Sequence, residues 1–85
     1  MDMRRLVGEN VRRIRQDRGL TQEQFAEVSG FSQQYLSDLE RGRRNPTVVT
    51  LFELATALKA TPIDLLRAIE TSGGRPAPQG KVRRK

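Results

Sequence analysis

Apolar residues along this chain recur at helical spacing, and no run alternates over strand length. In residues 3–18, Met3, Val7, Val11 and Ile14 fall on one stripe of a helix that Gly19 ends. Thr21 followed by Gln24 fits a capping box, predicting a short helix over about 22–29 with Phe25 and Ala26 inward and Gly30 as its breaker. Ser32 is a good N-cap for a third helix, over about 32–41, with Leu36 and Leu39 on one face beside Phe31. Gly42 and then Asn45-Pro46 close it. Thr47 caps a fourth helix, where Val48, Leu51, Phe52, Leu54, Ala55 and Leu58 predict a broad apolar face. Thr61-Pro62 supplies a cap and a first-turn proline for a fifth, with Ile63, Leu65, Leu66 and Ile69 apolar. The expectation is a compact all-α fold of five short helices joined by two to five residues, without internal repeats.

Composition narrows what such a fold can do. The 85 residues allow one domain with one small core. Cysteine and histidine are both absent, which removes disulfides, thiolate metal sites and the commonest general base. No cofactor or metal is therefore expected, and an enzyme is the weakest of the function classes. No apolar run approaches the ~20 residues of a membrane span, and the N-terminus lacks the apolar region of a secretory signal. A cytoplasmic protein is expected.

The net charge of +6 is unevenly distributed. Residues 73–85, GGRPAPQGKVRRK, hold five basic residues and no acidic one, leaving eleven basic against ten acidic in residues 1–72. The chain thus divides into a folded domain, 1–72, and a basic tail, 73–85, with the composition of a disordered segment. Such a tail adds nonspecific attraction to nucleic acid or a membrane surface, or serves only solubility. The folded part must be judged by where its charges sit.

The stretch SQQYLSDLERGRRNP, residues 32–46, concentrates the candidate chemistry. A short helix, a tight turn with glycine and a capped helix form the helix-turn-helix signature, which sends the start of its second helix into the DNA major groove. With Leu36 and Leu39 inward, that helix presents amides and hydroxyls outward. A solvated surface helix is the plain alternative.

From here the chain resembles a known family. LTQEQFAEVSGFSQQYLSDLERGRRNPTVVTLFELATAL is similar to the lambda-repressor-like helix-turn-helix family of phage repressors, Cro proteins and small bacterial regulators. The likeness runs from about residue 6 to residue 68 and rests on Gln22, Ala26, Gly30, Leu36, Leu39, Glu40 and Gly42. Phe25 stands where leucine is usual, Lys59 replaces the glycine that commonly ends the fourth helix, and Val28 occupies a usually polar position.

The resemblance implies that Gln33 and Gln34 reach base edges, and a glutamine can pair bidentately with adenine N6 and N7. Ser37 and Asp38 lie one turn deeper as further base-contact candidates. Asp38 suits cytosine N4, but pairing within the helix or with arginine suits it nearly as well. Gln22 and Ser32, at helix starts, are phosphate candidates that also have capping roles. Arg41, Arg43, Arg44 and Asn45 adjoin the same face and are expected on phosphates. Tyr35 either packs or places its hydroxyl on a phosphate. The resemblance further implies that Arg15 pairs with Glu40 to brace the reading helix.

The expected function is a sequence-specific regulator of transcription that binds double-stranded DNA as a homodimer, most simply a repressor on a two-fold symmetric operator. Ile63, Leu66 and Ile69 are the expected dimer surface, because so small a domain cannot bury them all. Within this class stand restriction–modification controllers, prophage repressors and antitoxins. A protein-interaction module using residues 70–85 for a protein partner is the reading from a different class.

Overall fold

The chain begins its first helix at Asp2, whose carboxylate accepts the backbone N–H groups of Arg4 and Arg5 at 3.1 and 3.4 Å. In the computed structural model, which describes residues 2–68, five helices follow: α1 (Met3–Asp17), α2 (Gln22–Ser29), α3 (Gln33–Glu40), α4 (Val48–Ala57) and α5 (Pro62–Leu66). No strand occurs among the described residues. Ile69, the basic tail 73–85 and the rest of segment 70–85 lie outside them.

Each helix starts where the sequence offers a side-chain acceptor for the first orphan N–H groups. Thr21 and Gln24 satisfy one another's backbone N–H groups reciprocally, and Thr61 and Asp64 do the same at α5. Ser32 accepts from Tyr35 N–H at 3.0 Å, and Thr47 from Thr50 N–H at 3.0 Å. Gly30 closes α2 at φ 83, a left-handed conformation that turns the chain directly into α3.

The helices enclose one core of Val7, Val11, Ile14, Phe25, Leu36, Leu39, Leu54, Ala55, Leu58 and Leu65. The α1 helix packs against α3 and α5, α2 against α3 and α4, and α4 against α5. Phe25 is fully buried, so the larger ring in place of leucine is accommodated within the core. Gly8 lets α1 touch the end of α3: a Cβ there would run into the carbonyl oxygen of Leu39 and lie 2.9 Å from that of Glu40.

The structure corrects four expectations. The broad face of α4 is only partly inward: Leu54, Ala55 and Leu58 are buried, but Val48 is 81% and Phe52 60% exposed. Its apolar stripe is wider than the surfaces that α2 and α5 offer it. Met3, in the first turn of α1, is also exposed. The α3–α4 connection spans residues 41–47, longer than expected, because the C-terminal turn of α3 and the Asn45-Pro46 segment both precede the Thr47 cap. Finally, α5 stops at Leu66, with Arg67 extended at ψ 136.

That last boundary has a physical cause in α1. The side chain of Asn10 is fully buried, and its Nδ2 donates to the carbonyls of Leu65 at 2.9 Å and Arg67 at 2.8 Å. Its Oδ1 accepts from Arg13 at 3.1 Å. The amide thus satisfies carbonyls at the end of α5 and pins it to α1. Arg18 caps α4 likewise, donating to the carbonyls of Leu58 at 2.8 Å and Lys59 at 3.2 Å. Lys59 takes the left-handed conformation (φ 58) that the usual glycine adopts without strain.

Candidate nucleic-acid interface

Burial of Leu36 and Leu39 fixes the rotation of α3 and hence which side chains it presents. Ser32, Gln33 and Gln34 are exposed at its start, and Ser37 is half-buried one turn on. Gln22, from the first turn of α2, joins Gln33, Gln34 and Ser37 around a shallow recess of about 250 Å³. Two helix starts therefore meet in one concave polar surface, with backbone N–H groups at its edge.

This surface is braced from below. Arg15 in α1 meets Glu40 at the end of α3 through two bonds, Nε to Oε2 at 2.7 Å and Nη2 to Oε1 at 3.1 Å. Its Nη1 donates to the carbonyl of Leu20, just before α2, at 2.7 Å. The two side chains are 10% and 4% exposed. Gln22 adds a bond from Nε2 to Glu40 Oε1 at 3.1 Å. One carboxylate thus ties together α1, the start of α2 and the end of α3. The expected capping role of Gln22 is not found: Thr21 is the N-cap of α2, and the Gln22 side chain braces Glu40 instead.

At the other side of α3, Gln34 Nε2 donates to Asp38 Oδ1 at 3.1 Å, one turn along the helix. Asp38 Oδ2 faces Arg44 Nη2 at 3.5 Å. The Arg44 guanidinium lies over the Tyr35 ring, 5.3 Å from its centroid, and that ring stacks on Phe31 with centroids 5.2 Å apart. Burial pushes the Tyr35 hydroxyl above its ordinary range while Arg44 pulls the other way, so it stays a neutral donor at neutral pH. Tyr35 thus packs against Phe31 and Arg44, and Asp38 makes both an intrahelical and an arginine pairing.

Arg41, Arg43 and Asn45 are exposed on the C-terminal cap of α3 and the following loop. Among the described residues neither Arg41 nor Arg43 has an ion-pair partner. Gly8, Asn10 and Arg18 escaped the sequence reading. Asn10 left a signal there: a short amide set within the stripe of Val7, Val11 and Ile14 must find polar partners inside.

Away from this face, Ile63 is 65% and Leu66 42% exposed, while Leu65 between them is fully buried. Leu66 also borders a small cleft with Met3, Val7, Pro46 and Leu51. The third expected dimer residue, Ile69, lies outside the described residues. No described helix is long and apolar enough to cross a membrane.

A braced pair of short helices joined at a left-handed glycine, with polar side chains at the start of the second and arginines in the loop after it, defines a DNA-binding helix-turn-helix domain. Comparison with known proteins agrees. Residues 11–66 match the family described as Helix-turn-helix. A relative from Sinorhizobium fredii, an uncharacterised HTH-type transcriptional regulator y4dJ, is 64% identical over 66 residues, covering 78% of this chain and 86% of its own length. The restriction-modification controller protein C.AhdI from Aeromonas hydrophila superimposes with a TM-score of 0.69 at 39% identity, over 73% of this chain and 94% of its own. SinR, a master regulator for biofilm formation solved in complex with DNA, superimposes with a TM-score of 0.68 at 27% identity, over 72% of this chain and 98% of its own. The chain belongs to the helix-turn-helix family of DNA-binding transcriptional regulators, a non-enzymatic class.

Proposed function

We propose that the domain represses transcription by setting α3 in the major groove of a two-fold symmetric operator. The observation that carries this reading is the recess shared by Gln22, Gln33, Gln34 and Ser37, held in place by the Arg15–Glu40 pair. Gln33, Gln34 and Ser37 face base edges, where amides and hydroxyls have complementary partners, with Asp38 on the same face next to Gln34. Gln22, Ser32, Tyr35, Arg41, Arg43, Arg44 and Asn45 surround them and take phosphates, which sets register rather than sequence.

A reading helix of only eight residues contacts too few base pairs to be selective alone. A second copy supplies the missing half-site, and the exposed Ile63 and Leu66 of α5 are the apolar surface on which two copies meet. Half-sites then lie about 10 base pairs apart, centre to centre. The domain ends near residue 72, and the basic stretch 73–85 adds affinity for any DNA without choosing sequence. The protein works in the cytoplasm and resides on the nucleoid while bound. It needs no cofactor, since recognition requires no chemistry.

Selection from a randomised duplex pool, with sedimentation of the full chain, tests this reading. The expected result is a palindromic site bound by a dimer, and an Ile63→Glu, Leu66→Glu variant that sediments as a folded monomer with weakened binding. Enrichment of no sequence would overturn the function. A monomer that binds a single asymmetric site would overturn the dimer.

A further inference from the structure

The Gln34–Asp38–Arg44–Tyr35 chain bears on specificity, given the DNA-binding reading above. A glutamine amide has an acceptor edge and a donor edge, and a freely rotating one serves different bases. It can present its carbonyl and one N–H together, matching adenine N6 and N7. It can also turn both N–H groups outward, matching the two acceptors of guanine, O6 and N7. The side chain of Gln34 does not have that freedom. A carboxylate held by a guanidinium only accepts, so only the NH2 end of the amide can face Asp38.

We infer that Asp38 is a positioning residue that fixes the Gln34 amide so that it selects adenine over guanine. One N–H of Gln34 is committed to Asp38 Oδ1 at 3.1 Å. With the N–H trans to the carbonyl the one committed, the cis N–H and the carbonyl remain side by side, the pair adenine requires. Guanine O6 would meet the Gln34 carbonyl, two acceptors facing one another. Asp38 is itself held: its side chain is 19% exposed, Oδ2 faces Arg44, and Arg44 lies on the Tyr35 ring that stacks on Phe31. Phe31 packs against the core, so the amide is anchored through a continuous chain of contacts to the body of the domain. Both oxygens of Asp38 are occupied, which disfavours its reading cytosine directly.

Asp38→Asn is the discriminating change, because it keeps size but replaces an acceptor-only group with one that donates as readily as it accepts. Asp38→Glu keeps the acceptor-only character. The site selected by the wild-type protein is synthesised with each base pair varied, and the pair read by Gln34 is the one whose preference Gln34→Ala removes. Competition binding then compares adenine with guanine there. Asp38→Asn is expected to lower the adenine preference by roughly fivefold or more, and Asp38→Glu to leave it within about twofold of wild type. In a Gln34→Ala background, Asp38→Asn should change nothing at that pair. Melting reports folding and should not move in Asp38→Asn. Binding to random duplex should rise, because a negative charge beside Arg44 is lost, and that gain is shared by the adenine and guanine duplexes and cancels in their ratio. An unaltered adenine preference in a folded Asp38→Asn protein overturns the inference. So does a loss of preference at some other pair that persists without Gln34, which would make Asp38 a reader in its own right. If the wild-type protein selects no sequence, the DNA-binding reading itself falls, a distinct result.

Discussion

Replacing Arg15 by alanine removes the one cation that, among the described residues, pairs with the nearly buried carboxylate of Glu40. Glu40 would keep Gln22 as its side-chain donor, and the carbonyl of Leu20 would lose the Arg15 Nη1 bond. With the two side chains 10% and 4% exposed, the pair is of the buried kind, for which removing one partner costs about 3–5 kcal/mol. A domain of this size has roughly 3–10 kcal/mol of stability in all, so the change consumes a large share of it. Each lost kcal/mol lowers the melting temperature of a small domain by about 4–8 °C, which predicts a fall of tens of degrees. Urea unfolding followed by circular dichroism measures the loss directly, with an unchanged urea dependence as the sign that only stability has moved. Removing both charges, in Arg15→Met with Glu40→Leu, should be much less harmful than Arg15→Ala, because no charge is left stranded. A cost under about 1 kcal/mol for Arg15→Ala would refute the reasoning, since that is the magnitude of an exposed pair. Wild-type melting with selective loss of DNA binding would make Arg15 a DNA contact instead.

Other predictions follow from the same geometry. Gly8→Ala gains up to about 1 kcal/mol of helix propensity but forces a methyl group into the Leu39 and Glu40 carbonyls, an overpacking typically costing about 1–3 kcal/mol or more. A lower melting temperature and weaker operator binding are expected; a stabilised protein would show that α1 and α3 separate easily. Asn10→Ala leaves the Leu65 and Arg67 carbonyls without their donor and should cost about 2–3 kcal/mol in urea unfolding, with Asn10→Leu no better because it restores volume but no donor. Unchanged stability in either would mean that α5 docks without that amide. Arg43→Ala should weaken binding to any duplex and reduce the salt dependence by about one unit. An unchanged slope would place Arg43 off the phosphates.

The helices were legible because each is bounded by a local signal: Thr21 with Gln24, Ser32, Thr47 and Thr61-Pro62 at the starts, Gly19, Gly30 and Gly42 after the ends. Local chemistry did not decide which apolar residues would be covered. Val48 and Phe52 sit on the flank of the broad apolar face of α4, about 120° round the helix from Leu54 and Leu58, and α2 and α5 do not reach that flank. The end of α5 was illegible for a related reason, since Asn10, 55 residues away in sequence from Leu65, sets it. In the candidate site, the turn and the inward leucines placed Gln33 and Gln34 on the exposed front of α3. Spacing left the intrahelical pairing of Asp38 open among its alternatives, but that Gln22 reaches Glu40, or that Arg44 is the arginine meeting Asp38, depends on how the helices and the loop converge.

The central claim is that the amides at the start of α3 read base sequence. The most direct measurement is the affinity of the wild-type, Gln33→Ala and Gln34→Ala proteins for the selected operator and for a scrambled duplex of equal length, at one salt concentration. The wild-type protein should prefer the operator by about a thousandfold or more. Each alanine should cost roughly 1–3 kcal/mol on the operator and almost nothing on the scrambled duplex, since it removes base contacts and no charge. Equal losses on the two duplexes, or none on either, would contradict the account.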